Sequence, residues 1–233
     1  MNNTATLSLR HLFRPILALA FASLFSCGLV ALRIVLTTRI SGLYLVWNLF
    51  LAWMPLLFAL AAVLIAQTRP QRRGLFLGSG SAWLLFFPNA PYILTDLIHL
   101  GSKHQGRYWT DLVLILLFAL LGLVLGFVSL FLMQRLVTQR HGWPAGWLFV
   151  GLVAALSGFG IYAGRFFRWN SWDVVFDPVS IIADLAAWSF SIPSSPRGLV
   201  IPALFGTLLF IAYLMLYGLT HLPNPGRASE RTE

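Results

Sequence analysis

The sequence predicts an all-α fold, a polytopic transmembrane bundle of about six spans. Three observations predict it. Hydrophobic residues make up 58% of the 233 and charged residues only 10%, whereas soluble domains are roughly a quarter charged. The apolar residues fall into runs of about 20, the length that crosses about 30 Å of hydrocarbon. Short arginine-bearing loops separate the runs, the pattern that sets topology. Mean hydropathy is +0.80. Residues 1–222 read as one transmembrane domain, and 223–233 as a short, polar, disordered cytoplasmic tail.

The first span is expected at about 15–36. It holds Cys27, the single cysteine, so no intrachain disulfide can form. Leu24 to Cys27 faintly resembles a lipoprotein cleavage box. Phe25 fits it poorly and apolar sequence continues to Leu36, so the segment reads as an uncleaved span, not a removable signal. The second span is expected at 43–66 and ends before Arg69, Arg72 and Arg73. The third, at 75–98, is interrupted by Pro88 and Pro91, which remove amide donors and disfavour helix before them. The fourth, fifth and sixth are expected at 112–133, 145–164 and 199–220.

Residues 179–192 are too short to span. Val179, Ile182, Leu185 and Ala186 share a helical face there, which suits a helix lying in the interface before the last span. Trp169, Trp172 and Trp188 suit an interfacial belt. Gly74 with Gly78, Gly122 with Gly126, and Gly160 with Gly164 are each spaced for close helix packing.

Short loops rich in arginine stay in the cytoplasm. The 69–73 cluster and the loop holding Arg135 and Arg140 therefore place the N-terminus inside, with the tail. The ends of spans three and five then face outward, with Asp96, Asp111, Asp173, Asp177 and Asp184. The net charge of +9 does not point to nucleic acid, because no basic face remains once the spans are assigned. Membrane lipids are the expected partners. Oligomeric state is left open, and the bacterial cytoplasmic (inner) membrane is the expected location.

Two polar strings interrupt this apolar chain, FFPNAPYILTDLIHL at 86–100 and GRFFRWNSWDVVFDP at 164–178. Polar groups at membrane depth are costly and mark protein interiors or wet cavities. Asn89 is a good N-cap for a new segment after the break, about eleven residues long and ended by Gly101. Tyr92, Asp96 and His99 follow at i, i+4 and i+7, with Thr95 beside them, so they are expected on one helical face. An Asp beside a His can act as an acid/base pair. Equally, Asp96 can pair with an arginine and His99 face the interface. A metal would need His104, Asp111 or Asp173 to complete its ligands, and the spacing supports none. No cofactor is predicted.

In the second string Arg165 and Arg168 can clamp a phosphate or carboxylate in their planar forks. Asn170, Ser171 and Asp173 form an oxygen-rich loop, and Trp172 can stack on a ring or sit among headgroups. The same arginines can instead pair with Asp96, Asp173 or Asp177. No nucleophile elbow and no zinc-protease motif is present.

These residues support three functions. The first is a membrane protein with an outer polar pocket, formed by 88–99 and 164–177, for an anionic or lipid-headgroup ligand. The second is a membrane-embedded enzyme acting on a phosphate-bearing or lipid-linked substrate. The third is a small-solute transporter, against which stands the absence of an inverted repeat.

PNAPYILTDLIHL and GRFFRWNSWDV resemble the signatures of a bacterial integral-membrane family known as domain of unknown function 1361. The resemblance covers the chain from about span two to span six. It implies a membrane protein, marks the same two strings, and assigns no catalytic residue.

Overall fold

A computed structural model describes residues 9–38, 40, 42–100, 108–191 and 197–220. Every regular element among them is helical. In chain order they are α1 (Leu9–Thr37), α2 (Leu43–Thr68), α3 (Arg73–Phe86), α4 (Asn89–Tyr92) and a 3-10 segment (Ile93–His99). Then come α5 (Tyr108–His141), α6 (Trp143–Tyr162), a π turn (Ala163–Phe167), α7 (Asp173–Phe176), α8 (Pro178–Ser191) and α9 (Arg197–Thr220). The expected tail at 223–233, Gly101, Lys103, His104 and Arg107 lie outside the described residues, as does the side chain of His99.

Five helices are long and apolar enough to cross a membrane: α1, α2, α5, α6 with its π turn, and α9. The third apolar run is divided. At 14 residues, α3 covers about 21 Å and stops at Phe86. Phe87 (φ −55°, ψ −40°) and Pro88 (φ −60°, ψ −22°) keep helical dihedrals, so the chain does not double back. What changes is the hydrogen bonding. Pro91 has no amide to give Phe87, and the Ala90 N–H donates to the Phe87 carbonyl instead, at 3.1 Å. Asn89 does not cap the new segment as expected, because Pro88 occupies the cap position. Its side-chain Nδ2 turns back and donates to the Phe86 carbonyl at 3.0 Å. Helix α3 ends on carbonyls in need of donors, and the amide supplies one.

Glycines seat this irregular segment. A Cβ on Gly122 would strike the Ala90 carbonyl, and one on Gly126 would stand 3.0 Å from the Ala90 Cβ. On the opposite side, a Cβ on Gly160 would come within 2.7 Å of the Pro88 ring, and one on Gly164 within 3.1 Å of the Tyr92 ring. Two of the three small-residue pairs thus hold α4 between α5 and α6. The expectation fails for Gly74 and Gly78, where a Cβ would meet nothing within 4 Å. Both lie early in α3, where Gly74 and Gly78 are exposed. Where α6 meets α9, Gly158 and Gly206 bring the backbones together.

Beneath the segment sits the aromatic core, with Trp83, Phe87 and Phe118 fully buried. Trp83 Nε1 donates to Ser129 Oγ at 3.1 Å, which satisfies its one polar atom. Helix α8 packs through Ile181, Asp184, Leu185 and Trp188, and leaves Val179, Ile182 and Ala186 exposed. The face expected at 179–186 is therefore split, because Leu185 belongs to the packed side.

The chain runs up and down, so two ends form. One end carries Arg33, Asn48, Asp96, Asp111 and Arg165, and both ion pairs found there join acids to bases. The other carries Arg69, Arg73 and Arg140 around a small cavity.

Gly122→Ala and Gly160→Ala are each expected to destabilise the protein by about 1–3 kcal/mol, the usual cost of overpacking. Gly74→Ala and Gly78→Ala should stay within about 0.5 kcal/mol of the parent. Reversible unfolding in detergent micelles, followed by circular dichroism, checks the contrast.

Candidate functional site

The site is built on one buried carboxylate. Asp96 sits in the 3-10 segment and is 2% exposed. Its Oδ2 accepts a hydrogen bond from Asn48 Nδ2 of α2 at 2.8 Å. Its Oδ1 accepts from an Arg165 guanidinium N–H at 3.0 Å. That arginine comes from the π turn that ends α6, so three elements converge on one side chain. Arg165 also donates to Thr95 Oγ1, and Thr95 donates in turn to the Tyr92 carbonyl at 2.6 Å. The guanidinium lies over the Tyr92 ring, 4.7 Å from its centre. A cation there gains from the ring quadrupole as well as from the carboxylate.

The π turn belongs to the same construction. It inserts a wider turn where α6 would otherwise continue, a feature that recurs at functional sites. It ends on Arg168, which has φ 62° and ψ 28° and lies in the left-handed region. A non-glycine residue there is uncommon.

Tyr92 and Asp96 do not share the expected face. Ile93–His99 is a 3-10 helix, with three residues per turn, so the α-helical period of 3.6 does not apply. Tyr92 lines an open cleft, while Asp96 is turned into the bundle.

That cleft measures about 750 Å³, within the range of ordinary ligand pockets. Asn48, Asn89, Arg168, Asn170 and Ser171 are among its polar lining. Leu51, Leu84, Leu156 and Val174 are among its apolar lining. The two strings meet directly inside it. Asn89 Nδ2 donates to Ser171 Oγ at 2.7 Å, and Ser171 Oγ donates to the Leu85 carbonyl at 3.1 Å. The loop after the π turn thus satisfies carbonyls left by the end of α3.

Of the expected site residues, Asn89, Tyr92, Arg168 and Asn170 line the cleft. Thr95, Asp96 and Arg165 form the network behind it. Asp173 serves its own loop and accepts from the Asn170 backbone N–H at 2.7 Å. Trp172 meets Trp47 of α2 edge to face, 6.4 Å between ring centres. Asp184, on α8, accepts from Trp169 Nε1 at 2.8 Å and anchors the loop. Among the described residues no three metal-ligating side chains cluster. Asn48 and Trp47 escaped the sequence reading. The available signal was Asn48 itself, a polar amide early in an apolar span.

The profile of a family described as a protein of unknown function (DUF1361) matches residues 47–216, and the chain belongs to that family. No curated protein and no solved structure matches it. The match begins at Trp47 and takes in both strings and every residue of the Asp96 network.

Arg165→Ala should cost about 3–5 kcal/mol, because it strands a buried carboxylate. Asn48→Ala should cost about 1–3 kcal/mol, the value of an unsatisfied buried acceptor. Unfolding of Asp96→Asn, Arg165→Gln and the double variant forms a cycle. The double change is expected to be milder than the sum of the single ones.

Proposed function

We propose that this protein holds an amphiphilic anionic ligand, a phosphate-bearing lipid or lipid-linked molecule, in the cleft between α2, α3, α4 and α6. The observation that carries this reading is the cleft's composition. Its lining mixes leucines with amides, hydroxyls and Arg168. A cavity with that mixture suits a molecule with an apolar chain and a polar head.

Arg168 is the ligand's cation in this reading, and Arg165 is not. Arg165 is committed to Asp96, Thr95 and the Tyr92 ring. Arg168 is exposed, lines the cleft, and makes no ion pair among the described residues. Guanidinium favours phosphate through its planar fork. Asn170 and Trp169 flank it on the same loop.

The burial of Asp96 argues against an acid/base role. A carboxylate held by two donors and withdrawn from the cleft is a support for the loop that carries Arg168. We read the protein as a binding protein of the bacterial cytoplasmic membrane, with its N-terminus inside and the cleft opening outward. Helix α3, α4 and the 3-10 segment together act as the sixth crossing, since α3 alone falls short of about 30 Å.

Arg168→Asn is the informative variant. Asn tolerates the left-handed backbone conformation better than most residues, so folded yield should stay at the parent level. Dodecyl phosphate, titrated into the purified protein in neutral detergent, should quench tryptophan fluorescence, because Trp47 and Trp169 line the cleft. Its apparent affinity should drop about tenfold or more in Arg168→Asn, a change of about 1.4 kcal/mol. Equal affinity in both proteins would remove Arg168 from the site.

A further inference from the structure

At the opposite end of the bundle from the cleft, three arginines from separate parts of the chain surround one small cavity. Arg69 follows the end of α2, Arg73 opens α3, and Arg140 lies in the last turn of α5. The cavity holds about 110 Å³, the liquid volume of three or four waters at about 30 Å³ each. Its remaining wall includes Ile65, Ala66, Phe76 and Leu77. We infer that this cavity is a binding site for the phosphate headgroup of an anionic phospholipid.

Convergence is the first argument. Arginines that act only as topology signals need to lie on the correct side of the membrane, and need not meet. Here residues about seventy apart in sequence face one cavity. Arg140 is held in place as well, with its guanidinium 5.0 Å from the centre of the Phe76 ring.

Charge is the second. None of the three arginines has a carboxylate partner among the described residues, and no acid lines the cavity. The described acids with a partner bond at the other end or within the loops of that end. Three positive charges around one cavity repel one another unless an anion sits between them. Helix α3 adds to the same field. It has 14 residues, starts at Arg73, and has no side-chain cap, so its positive end points at the cavity.

The neighbouring surface selects the source of the phosphate. Leu77 in the cavity wall is 64% exposed, and Leu64, the neighbour of wall residue Ile65 on α2, is 44% exposed. An acyl chain attached to a bound headgroup can run along that surface, which free phosphate cannot use. Basic pockets between spans take anionic lipids in this way.

The test uses the full chain, purified in neutral detergent and then mixed with equal amounts of phosphatidylglycerol and phosphatidylcholine. Lipid retained after washing is measured by mass spectrometry. At least about tenfold enrichment of phosphatidylglycerol is expected, equivalent to about 1.4 kcal/mol. The enrichment should fall toward unity in Arg69→Gln/Arg73→Gln/Arg140→Gln combined with Arg168→Asn. Should the triple variant not fold, Arg140→Gln alone should still lower it, since Arg140 is exposed and its loss breaks no ion pair among the described residues. Both measurements are made in the Arg168→Asn background, where lipid held by the cleft is weakened and the retained lipid reports this cavity. Equal retention of the two lipids by the parent protein would overturn the inference. So would full enrichment in the glutamine variants on the Arg168→Asn background, or inorganic phosphate displacing the retained phosphatidylglycerol at equal concentration.

Discussion

A carboxylate held inside an apolar bundle constrains everything near it. Asp96 is 2% exposed, and an ionised group there is tolerable only with partners in place. Asn48 and Arg165 are those partners, and each belongs to a different helix. Their positions tie the start of α2 to the end of α6 through the 3-10 segment. The loop 168–172 follows directly from Arg165, so its location is inherited from this bond. Asn170, Ser171 and Arg168 reach the cleft because Arg165 is anchored behind it.

Backbone fit supplies what charge alone cannot. Pro88, Ala90 and Tyr92 meet glycines on α5 and α6 at distances that leave no room for a Cβ at Gly122 or Gly160. Such close approach depends on small residues. The divided third run therefore does not drift between its neighbours. Its freed carbonyls are also met. Phe86 accepts from Asn89, and Leu85 accepts from Ser171. The divided segment, the glycine beds and the polar loop answer one another's deficits.

Much of this was legible in the sequence, and the remainder shows what a single chain hides. Run length predicts six spans, since apolar runs of about 20 residues have few alternatives; five form as long helices, and the third run is divided. The two strings stood out because polar groups are rare at that depth. The pairing of Arg165 with Asp96 was one of several open choices, and only the packing of α6 against α4 selects it. Two errors have a common origin. The face assigned to Tyr92, Asp96 and His99, and the cap assigned to Asn89, both assumed an ordinary α-helix after Pro91. Instead Pro88 takes the cap position, which leaves Asn89 to face α3, and the chain tightens to a 3-10 path from Ile93, with Asp96 turned inward. Gly74 and Gly78 show a different limit: spacing identifies residues able to pack closely, and only a facing helix makes them do so.

The contrast between Arg165 and Arg168 separates support from ligand contact in the proposed reading. They lie one helical turn apart and have the same chemistry, so sequence alone could not divide their roles. Arg165 satisfies its guanidinium with a carboxylate, a hydroxyl and an aromatic face. Arg168 sits at φ 62°, a conformation that costs of order 1–3 kcal/mol for such a residue and persists only where its surroundings impose it. Here the surroundings are identifiable. The π turn ends at Phe167, and the Trp169 N–H returns to the Ala163 carbonyl at 3.4 Å. Trp169 is itself fixed through its indole N–H to Asp184. The chain therefore holds Arg168 in the cleft lining through the two bonds of Trp169 next to it, while its guanidinium makes no ion pair among the described residues. A strained backbone beneath an available cation is the arrangement expected when position matters more than local stability.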